Sequence, residues 1–368
     1  MTPRILSLRE LNRALLARQM LLTREAIPVT AAIERLVGQQ AQQASNPFVA
    51  LWSRLAGFSR GDLASEIDSR AVVKATLMRG TLHLFTAADY LRFRATIQLA
   101  LSASQASITG RRGEADLDIA GLLATGREFI GQQPRTFAEL SEHLAGLLPD
   151  QDVAAMRYTV RTHLPMVQVP SATRWSYPAS AKFTLADAWL GQSIPDAVDL
   201  PALIRRYLAA FGPATVADIQ TWSGIQRLAP VVETMRDTLI VYRDEGKREL
   251  FDLPDAPLPD ESTPAPLRFL PEFDNILLSH AKRTRIIADE HRPAWVVASN
   301  LRFRPTLLVD GFVGATWKTE LKKGIATLAI KPFAPFPASD RAAALDEAER
   351  LVRFVEPEAK RYEVQFSP

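Results

Sequence analysis

Apolar residues recur at helical spacing from the start of the chain, where Leu11, Leu15 and Leu22 continue a stripe behind Ser7 and Glu10, a pair spaced for a capping box. Pro28 and Thr30 open a second helix. Its Ile33, Leu36 and Val37 share a buried stripe, and Gly38 ends it. A further helix is expected over about Ser69 to Met78. The stretch "RGTLHLFTAADY" then predicts a strand with Leu82 and Leu84 on one face, followed by a helix that Thr86 caps with Asp89.

From about residue 120 the pattern reads helix, helix, helix, strand, strand. "PRTFAELSEHL" places Thr136 and Glu139 in capping-box spacing, "DVAAMRYTVRTHL" is a longer helix, and "MVQV" is β-like. From about 200 the order repeats: Thr215 and Asp218 open "GPATVADIQTW", a helix follows around "IQRLAPVVETM", and "TLIVY", "RDEGKR" and "ELFDL" make a hairpin. Thr136 and Thr215 stand 79 residues apart, an internal repeat of architecture with little shared identity. Three helices and a two-stranded hairpin are the layout of a winged helix, which serves DNA binding and also protein interaction. After the Pro-rich "PDAPLPDESTPAPLRFLP" the period changes: "TLLVDGFVGATW" and "GIATLAI" are β-rich, and "RAAALDEAERLVRFV" is an amphipathic helix. The expected fold is α+β, with tandem winged-helix domains at 1–118, 119–195 and 196–260 and a β-rich C-terminal domain at 261–368.

Composition narrows the chemistry. With 368 residues, 47% hydrophobic and 23% charged, the chain can bury several cores. It has no cysteine, which excludes disulfides, thiolate catalysis and cysteine-ligated zinc and suits a reducing compartment. No run of eighteen apolar residues predicts a membrane span, so a cytoplasmic protein is expected. A net charge of +3 permits nucleic acid without requiring it. Arginines beside apolar positions in "RYTVRTHL", "LRFRATI" and "AKRTRII" could clamp phosphates or simply solvate surfaces. Nucleotide-binding glycine loops, H-E-x-x-H and the zinc-deaminase signature are absent. The five histidines, His83, His143, His163, His280 and His291, form no pair at helix spacing, so neither a metal nor a cofactor is expected.

Two stretches carry unexplained polar residues. In "VGQQAQQASNPFVALWSRL" four glutamines follow Gly38. Gln40 and Gln42 share a side only if the chain is extended there; otherwise the run is the turn that ends a helix. A neutral amide is no strong base, but its carbonyl can orient a water while its nitrogen donates. In "LPEFDNILLSH", Asp274 and Asn275 interrupt an apolar run, as a capped turn or a satisfied core pair would. His280, Lys282, Arg283 and Arg285 follow closely enough to form one polar rim.

Taken in order, "RLVGQQAQQASNPFVALWSRL", "LMRGTLHLFTAADY", "YLAAFGPATVADIQTWSGI" and "LPEFDNILLSHAKR" resemble the bacterial winged-helix DNA glycosylase family of the AlkZ and YcaQ type, across most of the chain. The resemblance implies tandem winged helices around a DNA channel, a β-rich C-terminal domain, and excision of bulky or cross-linked N-alkylated bases. The family motif of glutamine, an intervening residue, then glutamine or aspartate maps to Gln40, Ala41 and Gln42, which favours the AlkZ-like branch. Gln39 stands where the family is usually apolar, and with Gln43 it is the flanking alternative. The resemblance also implies DNA or lesion proximity for Arg79, Thr81 and His83 and for His280, Lys282 and Arg283 in "SHAKRTRI". Lys282 stands where the family often has an acid.

The reaction implied by the resemblance is a monofunctional hydrolysis. N7 alkylation makes guanine a cationic leaving group, so two amides that hold water and favour the developing sugar cation suffice. The expected partner is duplex DNA containing alkylated bases, met by a monomer without membrane or protein partner and associated with the nucleoid. A winged-helix transcription regulator and a non-catalytic damaged-DNA-binding protein are the alternatives.

Overall fold

The structure, a computed structural model, describes residues 3–113, 117–297 and 302–367. Ser7 and Glu10 form the expected capping box at the start of the helix Leu8–Arg18. That helix is buried well beyond its apolar stripe, because its polar residues reach three distant segments. Arg18 makes paired hydrogen bonds of 2.6 and 2.8 Å to Asp252. Arg13 pairs with Asp310, and Asn12 donates to the carbonyls of Arg285 and Gly311 at 2.7 and 2.8 Å. Gly311 has a left-handed φ of 83°, and a Cβ there would lie 2.5 Å from Asn12 Oδ1, so glycine is what permits the approach.

The helix expected over Ser69 to Met78 is replaced by other elements. A helix lies earlier, at Arg60–Asp68, and Val72–Thr76 is a strand with all five residues buried. Val72, Val73 and Thr76 are β-branched and favour extended backbone. Burial on both faces removes the polar alternation that would have marked the strand.

Val72–Thr76 pairs antiparallel with Leu82–Thr86, whose other edge takes the two-residue strand Gln39–Gln40. Met166–Gln168 and Phe183–Leu185 extend the same sheet to five strands. Strands from the first two segments therefore share one sheet. The helices Ile119–Gln132, Phe137–Leu147 and Val153–His163 precede the last two strands in the order read from the sequence. Leu200–Phe211, Val216–Ser223 and Ala229–Thr234 likewise precede the hairpin Ile240–Asp244 with Glu249–Asp252, onto which Ile5–Leu6 adds in parallel. Thr136 with Glu139 and Thr215 with Asp218 are both complete capping boxes, each opening the second helix of its set.

The C-terminal segment is a second five-stranded sheet in the order Arg361–Phe366, Ile325–Pro332, Phe312–Lys322, Thr306–Val309, Arg268–Leu270. The helix Ala338–Val355 covers it, burying Leu351 and Val352 against Phe269, Leu328 and Ile330. The fold is α+β. Its largest core runs from Leu15 through Phe85, Phe93, Val167, Tyr207 and Trp222 to Ile276 and Trp295, so it joins all four segments.

Candidate active site

Gly38 releases the chain from the helix Val29–Arg35. Its φ is 79°, and a Cβ would sit 1.9 Å from the Phe85 ring. The next residues are extended: Gln39 lies opposite Leu84, Gln40 opposite His83, and Ala41 N donates to Leu82 O at 2.8 Å. This non-helical geometry is the condition under which Gln40 and Gln42 can act together. Both meet the Arg79–His83 segment. Gln40, only 7% exposed, accepts from Arg79 Nη2 at 2.9 Å, and the exposed Gln42 accepts from Leu82 N at 3.3 Å. Gln43 is exposed, while Gln39 is buried with neither amide atom partnered among the described residues.

Arg79 adopts a left-handed φ of 56° and Gly80 follows at 68°, a turn that carries the guanidinium inward. Its Nη1 donates to the carbonyl of Trp222, at the end of the helix Val216–Ser223. Burial lowers its pKa to about 10, with the nearby charge of Arg283 acting in the same direction. Among the described residues neither Arg79 nor Arg283 pairs with a carboxylate. Thr81 is half-buried and donates to Met78 O at 3.2 Å.

His83 is fully buried, and its Nδ1 lies 3.1 Å from the carbonyl of Thr81. A carbonyl can only accept, so Nδ1 carries the proton and Nε2 is a buried acceptor without a partner among the described residues. Burial and the Arg79 charge push the imidazole pKa down to about 3, against a smaller opposing effect of the Thr81 hydrogen bond. The ring is neutral at physiological pH.

The expected rim after Asp274 separates into inside and outside. His280 is buried: Nε2 donates to Phe211 O at 3.0 Å, leaving Nδ1 to accept from Ser279 Oγ at 3.0 Å. Arg285 is buried too and donates to Pro213 O at 2.8 Å. Lys282 is exposed and Arg283 half-buried. Together with Arg248, Arg292 and the carboxylates of Asp244, Glu245 and Asp289 they line a cleft of about 560 Å³ beside the turn between Ile240–Asp244 and Glu249–Asp252. The structure thus gathers Gln40, Gln42, Arg79, Thr81 and His83, brings the charge of Arg283 to Arg79, and sets His280 within the core.

Asp274 caps the turn Asn275–Leu277, one of the two roles its sequence context allows, and receives Arg54 through two hydrogen bonds of 2.8 and 2.9 Å. Asn275 donates to Gly38 O at 3.1 Å, and Asn46 to Glu272 O at 2.8 Å. Sequence reasoning missed Arg54 and the anchoring role of Asn275; the one available signal was a charged residue inside the apolar "LWSRL". Among the described residues no three His, Asp or Glu side chains converge where a metal could bind, and no helix is long and apolar enough to cross a membrane.

Residues 33–354 match the model of a family described as DNA glycosylase AlkZ-like. An interstrand DNA cross-link repair glycosylase from Streptomyces sahachiroi is 25% identical over 360 residues, covering 88% of this chain and 89% of that protein. The solved structure of the Streptomyces sahachiroi DNA glycosylase AlkZ has the same fold, with a TM-score of 0.79 at 21% identity over 99% of this chain and 100% of the other.

Proposed function

This chain belongs to the DNA glycosylase AlkZ-like family, and we propose that it is a monofunctional glycosylase of N-alkylated purines in duplex DNA. N7-alkylguanine is the expected substrate, including bulky adducts and interstrand cross-links. The observation that carries this reading is the pair of amides at Gln40 and Gln42, released from a helix by Gly38 and both hydrogen-bonded to the Arg79–His83 segment.

An N7-alkylated guanine leaves as a neutral base, so the bond to C1′ breaks with little need for an acid. The glutamines then have to place a water against the sugar cation, a task of orientation and partial charge. Buried His83 is neutral and adds no competing charge. The buried amine of Lys74 is on the wrong side for a covalent intermediate. Lys74 is in register with Leu84, which is in register with Gln39, so alternation puts it on the face away from Gln40.

Lys282 and Arg283 are the proposed phosphate contacts and Thr81 the residue nearest the lesion. His83 and His280 support these elements from within. The helix, helix, helix, hairpin order supports reading 119–195 and 196–260 as winged-helix units between 1–118 and 261–368. The name of the Streptomyces relative supports cross-links among the substrates. We take the enzyme to act as a monomer on nucleoid DNA in the cytoplasm.

Incubating the protein with duplex DNA bearing one N7-methylguanine, and a second duplex with an N7-linked interstrand cross-link, tests the proposal. Free alkylated base with an abasic site left uncut is the expected product. Binding without base release on both substrates would place the chain among non-catalytic damaged-DNA-binding proteins.

A further inference from the structure

Gln40 and Gln42 sit in unlike surroundings. A guanidinium has donors only, so a side chain hydrogen-bonded to Arg79 must turn its carbonyl toward it and its NH2 away. The carbonyl of Gln40 is thus held by a cation, which makes it a poor ligand for a second developing cation. Gln42 accepts from a neutral backbone N–H at a longer 3.3 Å, is exposed, and keeps a lone pair for water. Arg79 is itself fixed at both ends. The left-handed turn at Arg79 and Gly80 aims it inward, and its other nitrogen is bound to the carbonyl of fully buried Trp222. Both terminal nitrogens of the guanidinium are thereby engaged inside the protein.

We infer that Arg79 is a positioning residue that sets the orientation of the Gln40 amide, so that Gln40 presents N–H donors to the reacting site while Gln42 supplies the carbonyl that holds the attacking water. This rests on the assignment of both glutamines to glycosidic-bond hydrolysis. It gives Arg79 a role other than the DNA proximity that the resemblance implies and makes the two amides chemically distinct. Gln40 depends on its NH2, and Gln42 on its oxygen.

The test is single-turnover excision of N7-methylguanine, with binding of undamaged duplex measured over a salt series. Arg79→Ala slows excision about 10- to 100-fold, the scale of a misplaced reacting group, and leaves both the duplex Kd and its salt slope unchanged. Adding Arg79→Ala to Gln40→Ala causes no further loss, because the two act through one amide. Gln40→Glu keeps the Arg79 contact but has no N–H, so it fails like Gln40→Ala, whereas Gln42→Glu keeps an acceptor and loses less than Gln42→Ala.

Multiplying losses in the double variant would show that Arg79 acts independently of Gln40, and a salt slope reduced by about one with an unchanged rate would make it a phosphate contact instead. Full activity of Gln40→Glu would overturn the division of roles. If Arg79→Ala does not fold, the two glutamate variants decide alone. Full activity of Gln40→Ala is a different result, removing the assignment of the glutamines and this inference with it.

Discussion

Asn275 donates through Nδ2 to the carbonyl of Gly38 at 3.1 Å, across 237 residues of sequence. A residue of the C-terminal segment thereby holds the point at which the glutamine strand leaves its helix. Glycine is required there, since φ is 79° and a Cβ would enter the Phe85 ring. Gly38→Ala is expected to cost at least about 1–2 kcal/mol of stability and to slow excision more than about tenfold by displacing Gln40. Denaturant titration and single-turnover rates check this, and an unaltered rate would separate Gly38 from the site.

Arg54 and Asp274 form a buried, doubly hydrogen-bonded pair beside that anchor. Removing one partner strands a charge in the interior, so Asp274→Ala should destabilise the fold by about 3–5 kcal/mol, whereas replacing both with apolar residues should recover most of the loss. Unfolding midpoints of the single and double variants give the answer. Equal losses in both would show that the pair contributes net stability of its own.

Acid sensitivity arises from the buried histidines. Burial, reinforced by the charge of Arg79, lowers the pKa of His83 to about 3, and burial also lowers that of His280. Between about pH 6.5 and pH 3 the unfolded chain binds a proton at His83 that the folded chain refuses, so stability is lost as pH falls through this window. The wild type should lose about 1.4 kcal/mol more per pH unit than His83→Gln once pH falls below the unfolded-state value. Parallel stability curves for the two proteins would contradict the burial argument.

Lys74 is a buried cation whose ammonium lies 4.8 Å from the centre of the Tyr177 ring, and burial lowers its pKa to about 8. The unfolded chain binds more protons than the folded one from about pH 8 to the ordinary lysine value, so stability rises with pH across that range. Lys74→Met should match or exceed wild-type stability at pH 7, flatten the rise, and leave excision unchanged because Lys74 faces away from Gln40. Loss of excision in a folded Lys74→Met protein would bring that amine into the chemistry.

Short-range chemistry determines the features that are legible in the sequence. The capping boxes at Ser7, Thr136 and Thr215 are each complete within four residues, and all three form as expected. Val72–Thr76 escapes a pattern reading because a strand buried on both faces shows no alternation. At the site, Gln40 and Gln42 stand out through ordered motifs that resemble a known family, since their local pattern fits a helix-ending turn equally well. The inward course of Arg79, the withdrawal of His280 into the core and the hold of Asn275 on Gly38 all depend on residues more than 60 positions apart. No local period records such pairings.

The most direct measurement compares wild type with Gln40→Ala and Gln42→Ala on one N7-methylguanine duplex, recording both bound fraction and released base in a single turnover. Equal binding by all three proteins is predicted, with abasic product from the wild type and at least about a hundredfold less from each variant, the scale of a lost transition-state interaction. Undiminished base release by both variants would contradict the assignment of the two glutamines to the chemistry.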